Sequence, residues 1–132
     1  MADFMDSDKT DPLDRFSRMQ LLVGPEGLER LQNASVSVFG IGGVGGYAVE
    51  ALARAGVGKL TLVDFDVVCI TNINRQIHAL EETVGRPKVM MMAERCRAIN
   101  PQLEVVAVEQ RYTAENSAEL LAEEFDYVLD CI

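Results

Sequence analysis

From residue 35 onward, short β-branched apolar runs alternate with longer stretches whose apolar residues recur every three or four positions. Ser35-Val36-Ser37-Val38-Phe39 reads as a strand, and a glycine cluster, Gly40 to Gly46, follows it directly. Val44, Tyr47, Ala48, Ala51, Leu52 and Ala55 then share one helical face, and Gly56 and Gly58 end that helix. The run 60–63 (LTLV) is the second strand, closed by Asp64. A polar connection leads to a helix opening at Pro87, with Val89, Met92, Ala93, Cys96 and Ile99 on one face, and Asn100-Pro101 stops it. Residues 103–108 form a third strand. Thr113 is placed to cap a further helix with Ala118, Leu121, Ala122 and Phe125 on its apolar side. Tyr127-Val128-Leu129 is a fourth strand.

Strands alternating with helices imply a parallel sheet covered by helices. Right-handed crossovers place the first strand centrally, in the order 3-2-1-4. The expected fold is an α/β, Rossmann-like doubly wound parallel sheet. Ahead of it, 15–33 reads as a helical arm in two pieces, 15–22 and 25–32, broken at Gly24-Pro25. Residues 1–14 are polar and acidic without apolar period, a solvated tail. The domain proper is expected over 34–132. Its sequence stops just after the fourth strand with no covering helix, as in a domain truncated at its C-terminal side.

Composition narrows the function. Of 132 residues, 48% are hydrophobic and 25% charged, which fits a globular chain rather than a disordered one. Net charge is −9, but the first 14 residues hold five Asp and one Lys and so supply −4 of it. A strongly basic nucleic-acid binder is excluded, while a local patch such as Arg86, Lys88, Arg95 and Arg97 is not. No apolar stretch is long enough to span a bilayer, and no signal-peptide pattern opens the chain, so a cytoplasmic setting is expected. Cys69, Cys96 and Cys131 lie far apart with no CxxC pair, which reads as reduced thiols rather than a zinc site. His78 is the single histidine, and no GxSxG elbow accompanies it, so serine-hydrolase chemistry is not indicated. His78 and Cys96 read as structural.

Gly40-x-Gly42-x-x-Gly45 between a strand and a helix is a nucleotide fingerprint. The first glycine makes the tight turn, the second lets backbone approach a phosphate, and the third packs helix on strand. The helix N-terminus beyond it offers free N–H groups to an anion. Asp64, at the end of the second strand, is placed to accept from both ribose hydroxyls. The glycines alone admit ATP or NAD. Asn72, Asn74, Arg75 and Gln76, followed by Arg86 and Lys88, suit a triphosphate better than a dinucleotide.

VFGIGGVGGYAVEALARAGVGKLTLVDFD, then TNINRQIHAL, VGRPKV and INP, resembles the ubiquitin-activating E1-like (ThiF-type) superfamily of adenylating enzymes over residues 15–132. Within it, the TNxNRQIHAL run most resembles the tRNA threonylcarbamoyladenosine dehydratases. The sulfur-carrier adenylyltransferases of molybdopterin and thiamine synthesis are the near relatives. The resemblance implies ATP with Mg²⁺, attack of a substrate carboxylate on the α-phosphate, and an acyl-adenylate. It implies that Gly40, Gly42, Gly43, Gly45 and Asp64 hold the nucleotide, and that Asn72, Asn74, Arg75 and Lys88 contact phosphates. Arg75 and Lys88 would be catalytic, together with Arg18 reaching across a homodimer into the partner's site. The carboxylate belongs to t6A-modified tRNA in one branch and to the C-terminus of a small sulfur-carrier protein in the other. A magnesium-binding aspartate is expected in a D-C-x-D run, of which this sequence holds Asp130-Cys131-Ile132. An NAD-dependent oxidoreductase and a non-catalytic nucleotide-binding fragment are the more distant readings.

Overall fold

The computed structural model describes residues 13–132, so the tail expected over 1–14 lies, save for its last two residues, outside the described residues. Strand β1 (Ser35–Phe39) sits at the centre and is buried on both faces, Val36 and Val38 on one and Ser37 and Phe39 on the other. β2 (Lys59–Asp64) pairs with it in parallel, Val36 opposite Leu60 and Val38 opposite Leu62. β3 (Glu104–Glu109) lies outside β2, and β4 (Tyr127–Asp130) flanks β1 on the other side, with Val38 opposite Leu129. The sheet order is 3-2-1-4, all parallel, as the alternation of elements predicts.

Helix α1 (Ser17–Gln32) is two helical pieces joined at Gly24, whose φ of 77° and ψ of 169° no helix tolerates. α2 (Gly45–Ala55) and α3 (Lys88–Ile99) pack on the sheet. Val89, Met92, Ala93 and Cys96 of α3 are buried as their spacing requires, and burial pushes the Cys96 thiol up to about 11. α2 departs from expectation. Its buried face is Gly45, Gly46, Val49, Glu50 and Ala53, whereas Val44 and Tyr47 of the expected stripe are 71% and 53% exposed. The helix carries two apolar stripes, and the one with glycines wins the sheet because it allows the closer approach.

Buried Glu50 then joins α2 to α3: Arg95 Nε donates to both its carboxylate oxygens, at 3.0 and 2.5 Å, and Arg54 donates at 3.3 Å. α4 (Ser117–Leu120) is far shorter than the helix expected after Thr113. Thr113 and Asn116 instead close a turn on each other, the Thr113 amide donating to Asn116 Oδ1 at 2.8 Å. Leu121 is 42% exposed, and a helix with nothing to bury its apolar side gains too little to propagate.

Candidate functional site

Parallel strands bring all their C-terminal ends to one edge of the sheet, where successive loops converge on a ligand. A cleft of about 410 Å³ opens there, lined by Gly40, Gly42, Asp64, Phe65 and Lys88 and closed on one side by Tyr112. A larger apolar groove of about 1120 Å³ runs between α1 and β4, but it lacks the glycine loop and the Asp64 carboxylate.

The glycines form the floor of the cleft. Gly40 has φ +94°, and a Cβ there would lie 2.6 Å from the Cys131 carbonyl oxygen, so only glycine lets β1 turn this sharply. A Cβ on Gly45 would run into the Gly40 carbonyl oxygen. Gly42 and Gly43 are roomier: a Cβ would come no closer than 3.6 Å, to Gln76 Nε2 and to the Arg75 carbonyl oxygen respectively. Among the described residues nothing accepts from the amides of Gly42 or Gly43. Two unclaimed N–H groups at the head of α2 are suited to an anion.

Asp64 accepts from the Ile41 amide on Oδ2 at 2.6 Å and from the Asp66 amide on Oδ1 at 2.9 Å. These bonds fix the carboxylate while each oxygen keeps a lone pair for a further donor such as a hydroxyl. Lys88 opens α3, is 6% exposed, and holds its ammonium 3.7 Å from Asp66 Oδ2 at the cleft wall. Arg75 stands exposed above the loop, its guanidinium donating to Asn74 Oδ1 at 2.9 Å and to the Thr71 carbonyl at 3.1 Å. The 74–78 segment lies across the glycines: Arg75 over Gly43, Gln76 against Gly42, Ile77 and His78 over Gly46.

Two expected contacts are placed otherwise. Asn72 turns inward, 7% exposed, and its Oδ1 accepts from the Cys69 amide at 2.8 Å, so it braces the 3₁₀ turn Ile70–Asn72 instead of facing the cleft. Arg18 does not line the cleft. It lies on α1 near Phe16, which packs against Gly56 at the opposite end of α2 from the glycine loop. The four cations that composition left open as a local basic patch are spoken for elsewhere. Arg86 pairs with Glu94 at 2.9 Å, Arg95 with Glu50, and Lys88 is buried.

Sequence reasoning missed the mouth of the cleft. Phe65, Gln110, Arg111 and Tyr112 line it, with the Arg111 guanidinium 4.2 Å over the Phe65 ring. Gln110, Arg111 and Tyr112 belong to no motif, and Phe65 lies in the VDFD run where only Asp64 was singled out. The available signal was topological, since any loop leaving a strand at this edge contributes. Beside it, the Cys69 thiol is held below its usual range, chiefly by the hydrogen bond from Thr71, whereas burial raises Cys131 and works against a thiolate there. Among the described residues no group of three His, Cys, Asp or Glu could hold a metal ion. These residues do not form a magnesium cage by themselves.

The model of the ThiF family matches residues 16–132, and the chain belongs to that family. It is 53% identical over 118 residues to the tRNA threonylcarbamoyladenosine dehydratase of Bacillus subtilis, covering 89% of this chain and 46% of that protein. It is 43% identical over 122 residues to a sulfur carrier protein adenylyltransferase of Thermus thermophilus, covering 91% of this chain and 45% of the relative. Among solved structures, the Escherichia coli tRNA N6-threonylcarbamoyladenosine dehydratase in complex with ATP superposes with a TM-score of 0.88 at 47% identity. That match covers 89% of this chain and 49% of the other. The chain thus spans about half the length of the curated relatives it matches.

Proposed function

We propose that this chain is the nucleotide-binding part of an ATP-dependent adenylating enzyme whose substrate is the carboxylate of t6A-modified tRNA. The observation that carries the reading is the convergence at one cleft of Gly42, whose amide has no acceptor among the described residues, Lys88 and the Asp64 carboxylate, with the equally unclaimed Gly43 amide next in the loop. Asp64 takes the ribose, and the amides take a phosphate. Lys88, with Arg75 above the loop, offsets the negative charge that gathers as two anions meet. A carboxylate oxygen bonds to the α-phosphorus, the bond to the β-phosphate oxygen breaks, and pyrophosphate leaves. Ring closure onto the modified base then expels AMP, which completes a net dehydration. Among the described residues no three His, Cys, Asp or Glu could hold a metal ion, so magnesium would be held chiefly by the ATP phosphates and would offset their charge there.

The tRNA branch is favoured over the carrier-protein branch by identity: three dehydratases stand at 46–53%, against 40–43% for two molybdopterin-synthase adenylyltransferases and the Thermus relative. The sulfur-carrier reading remains the alternative, because the adenylation half-reaction is the same. The setting that fits is the cytoplasm, and among the described residues no helix is long and apolar enough to cross a membrane. A homodimer would let Arg18, which does not line the cleft of its own chain, act on the partner's site.

ATP–pyrophosphate exchange separates the branches. Exchange that depends on t6A-modified tRNA and ignores a carrier protein ending in glycine is the expected result, and the reverse dependence assigns the alternative. Arg75→Ala should lower that exchange about 100-fold, the scale seen when one transition-state donor is removed. Exchange unchanged by the substitution removes Arg75 from the mechanism.

A further inference from the structure

His78 is 3% exposed, yet its position is not explained by packing. Its Nδ1 is buried with no partner among the described residues, an arrangement that an aliphatic side chain would avoid. What the ring gains is one contact: Nε2 lies 2.8 Å from the Ile41 carbonyl oxygen. A carbonyl only accepts, so Nε2 carries the proton and Nδ1 is bare. Burial lowers the affinity of the ring for a second proton and so favours the neutral form.

Ile41 itself is fully buried and is held from both sides, its amide by Asp64 Oδ2 at 2.6 Å and its carbonyl by His78. The carbonyl of Ile41 and the amide of Gly42 belong to one planar trans peptide, so they point in opposite directions. Drawing the carbonyl toward His78 therefore turns the Gly42 amide the other way. That amide has no acceptor among the described residues, and Gly42 lines the cleft. We propose that His78 is a positioning residue: its Nε2–H fixes the Ile41–Gly42 peptide plane so that the Gly42 amide is presented to a nucleotide phosphate. The proposal rests on the nucleotide-binding reading above. It adds to that reading a link from the TNINRQIHAL run to the glycine loop, running through a backbone carbonyl rather than through a side chain on the ligand.

Three variants test it: His78→Leu removes the donor, His78→Asn keeps a polar amide too short to reach Ile41, and His78→Gln can place an N–H near the Nε2 position. Calorimetric titration with ATP should show Kd raised about tenfold in His78→Leu and His78→Asn, with most of the affinity restored in His78→Gln. A purely structural histidine would lower the melting temperature in all three without that split. In ¹⁵N spectra of the free wild-type chain, the ring should carry its proton on Nε2. The Gly42 amide resonance should move in His78→Leu or His78→Asn and return toward wild type in His78→Gln. Wild-type affinity in both donor-lacking variants, or a proton on Nδ1, overturns the proposal. If the wild-type chain does not bind ATP, the nucleotide reading fails, and the Gly42 resonance still decides whether His78 sets the peptide.

Discussion

Gly45→Ala is expected to lower the melting temperature by roughly 10 °C or more and to remove ATP binding with it. The added Cβ meets the Gly40 carbonyl oxygen, which is backbone at the turn out of β1 and cannot rotate away. Either α2 lifts from the sheet or β1 loses its end, and both deform the loop that holds Gly42 and Gly43. Forced overpacking typically costs about 1–3 kcal/mol, and a clash with rigid backbone lies at the upper end. For a domain of this size about 3 kcal/mol corresponds to the shift stated. Gly42→Ala is the control that separates fold from site. Its Cβ would meet Gln76 Nε2 at an ordinary 3.6 Å, and Gly42 has no positive φ, so stability should change little. A methyl group at the cleft floor should nevertheless weaken ATP binding, which calorimetry and thermal unfolding on the same samples resolve. Equal destabilisation in both variants contradicts the assignment of a packing role to one glycine and a binding role to the other.

Lys88→Met should produce the opposite pairing, with activity lost and stability kept. The Lys88 ammonium is buried, and its acidic partner Asp66 is itself 3.7 Å away and half exposed. Replacing a buried charge by an apolar side chain of similar length is often neutral or stabilising, because the desolvation of the ion disappears. Removing the Asp66 contact leaves a carboxylate that water can reach. A cation that adds little to the fold but lines the cleft is explained by what it does for an anion. Pyrophosphate exchange should therefore fall about 100-fold or more, while the melting temperature holds or rises. A variant that loses stability and keeps exchange would make Lys88 a structural residue.

The strands and their order were legible from the sequence because β1 and β2 are short runs rich in Val, Leu and Phe, and the loops between elements carry their own glycines and prolines. Which stripe of α2 faces the sheet was not. Val44, Tyr47 and Ala51 form as good a helical period as Val49 and Ala53, and close approach at Gly45 and Gly46 decides between them. The helix expected after Thr113 failed for a related reason. Periodicity states which side would be buried but not whether anything lies there to bury it. In the site, Gly40, Gly42, Asp64 and Lys88 were recognisable by motif and by resemblance, and the fold brings them to one cleft. Asn72 shows the limit of that reasoning: a polar residue in a phosphate-type run here serves the turn that carries the run, through its bond to the Cys69 amide. The pinning of Ile41 by Asp64 and His78 joins residues far apart in the sequence through backbone groups, and no side-chain pattern records such contacts.

The central claim is that the cleft takes ATP and not a dinucleotide. Thermal unfolding of the chain with ATP and Mg²⁺, and separately with NAD, tests it most directly. A ligand present at 100 times its Kd stabilises by about 2.7 kcal/mol, and for a chain of this size the midpoint rises by roughly 10 °C. The account predicts that rise with ATP and none with NAD. A rise with NAD alone would contradict it, and would make Arg75 and Lys88 ordinary cations beside a dinucleotide site.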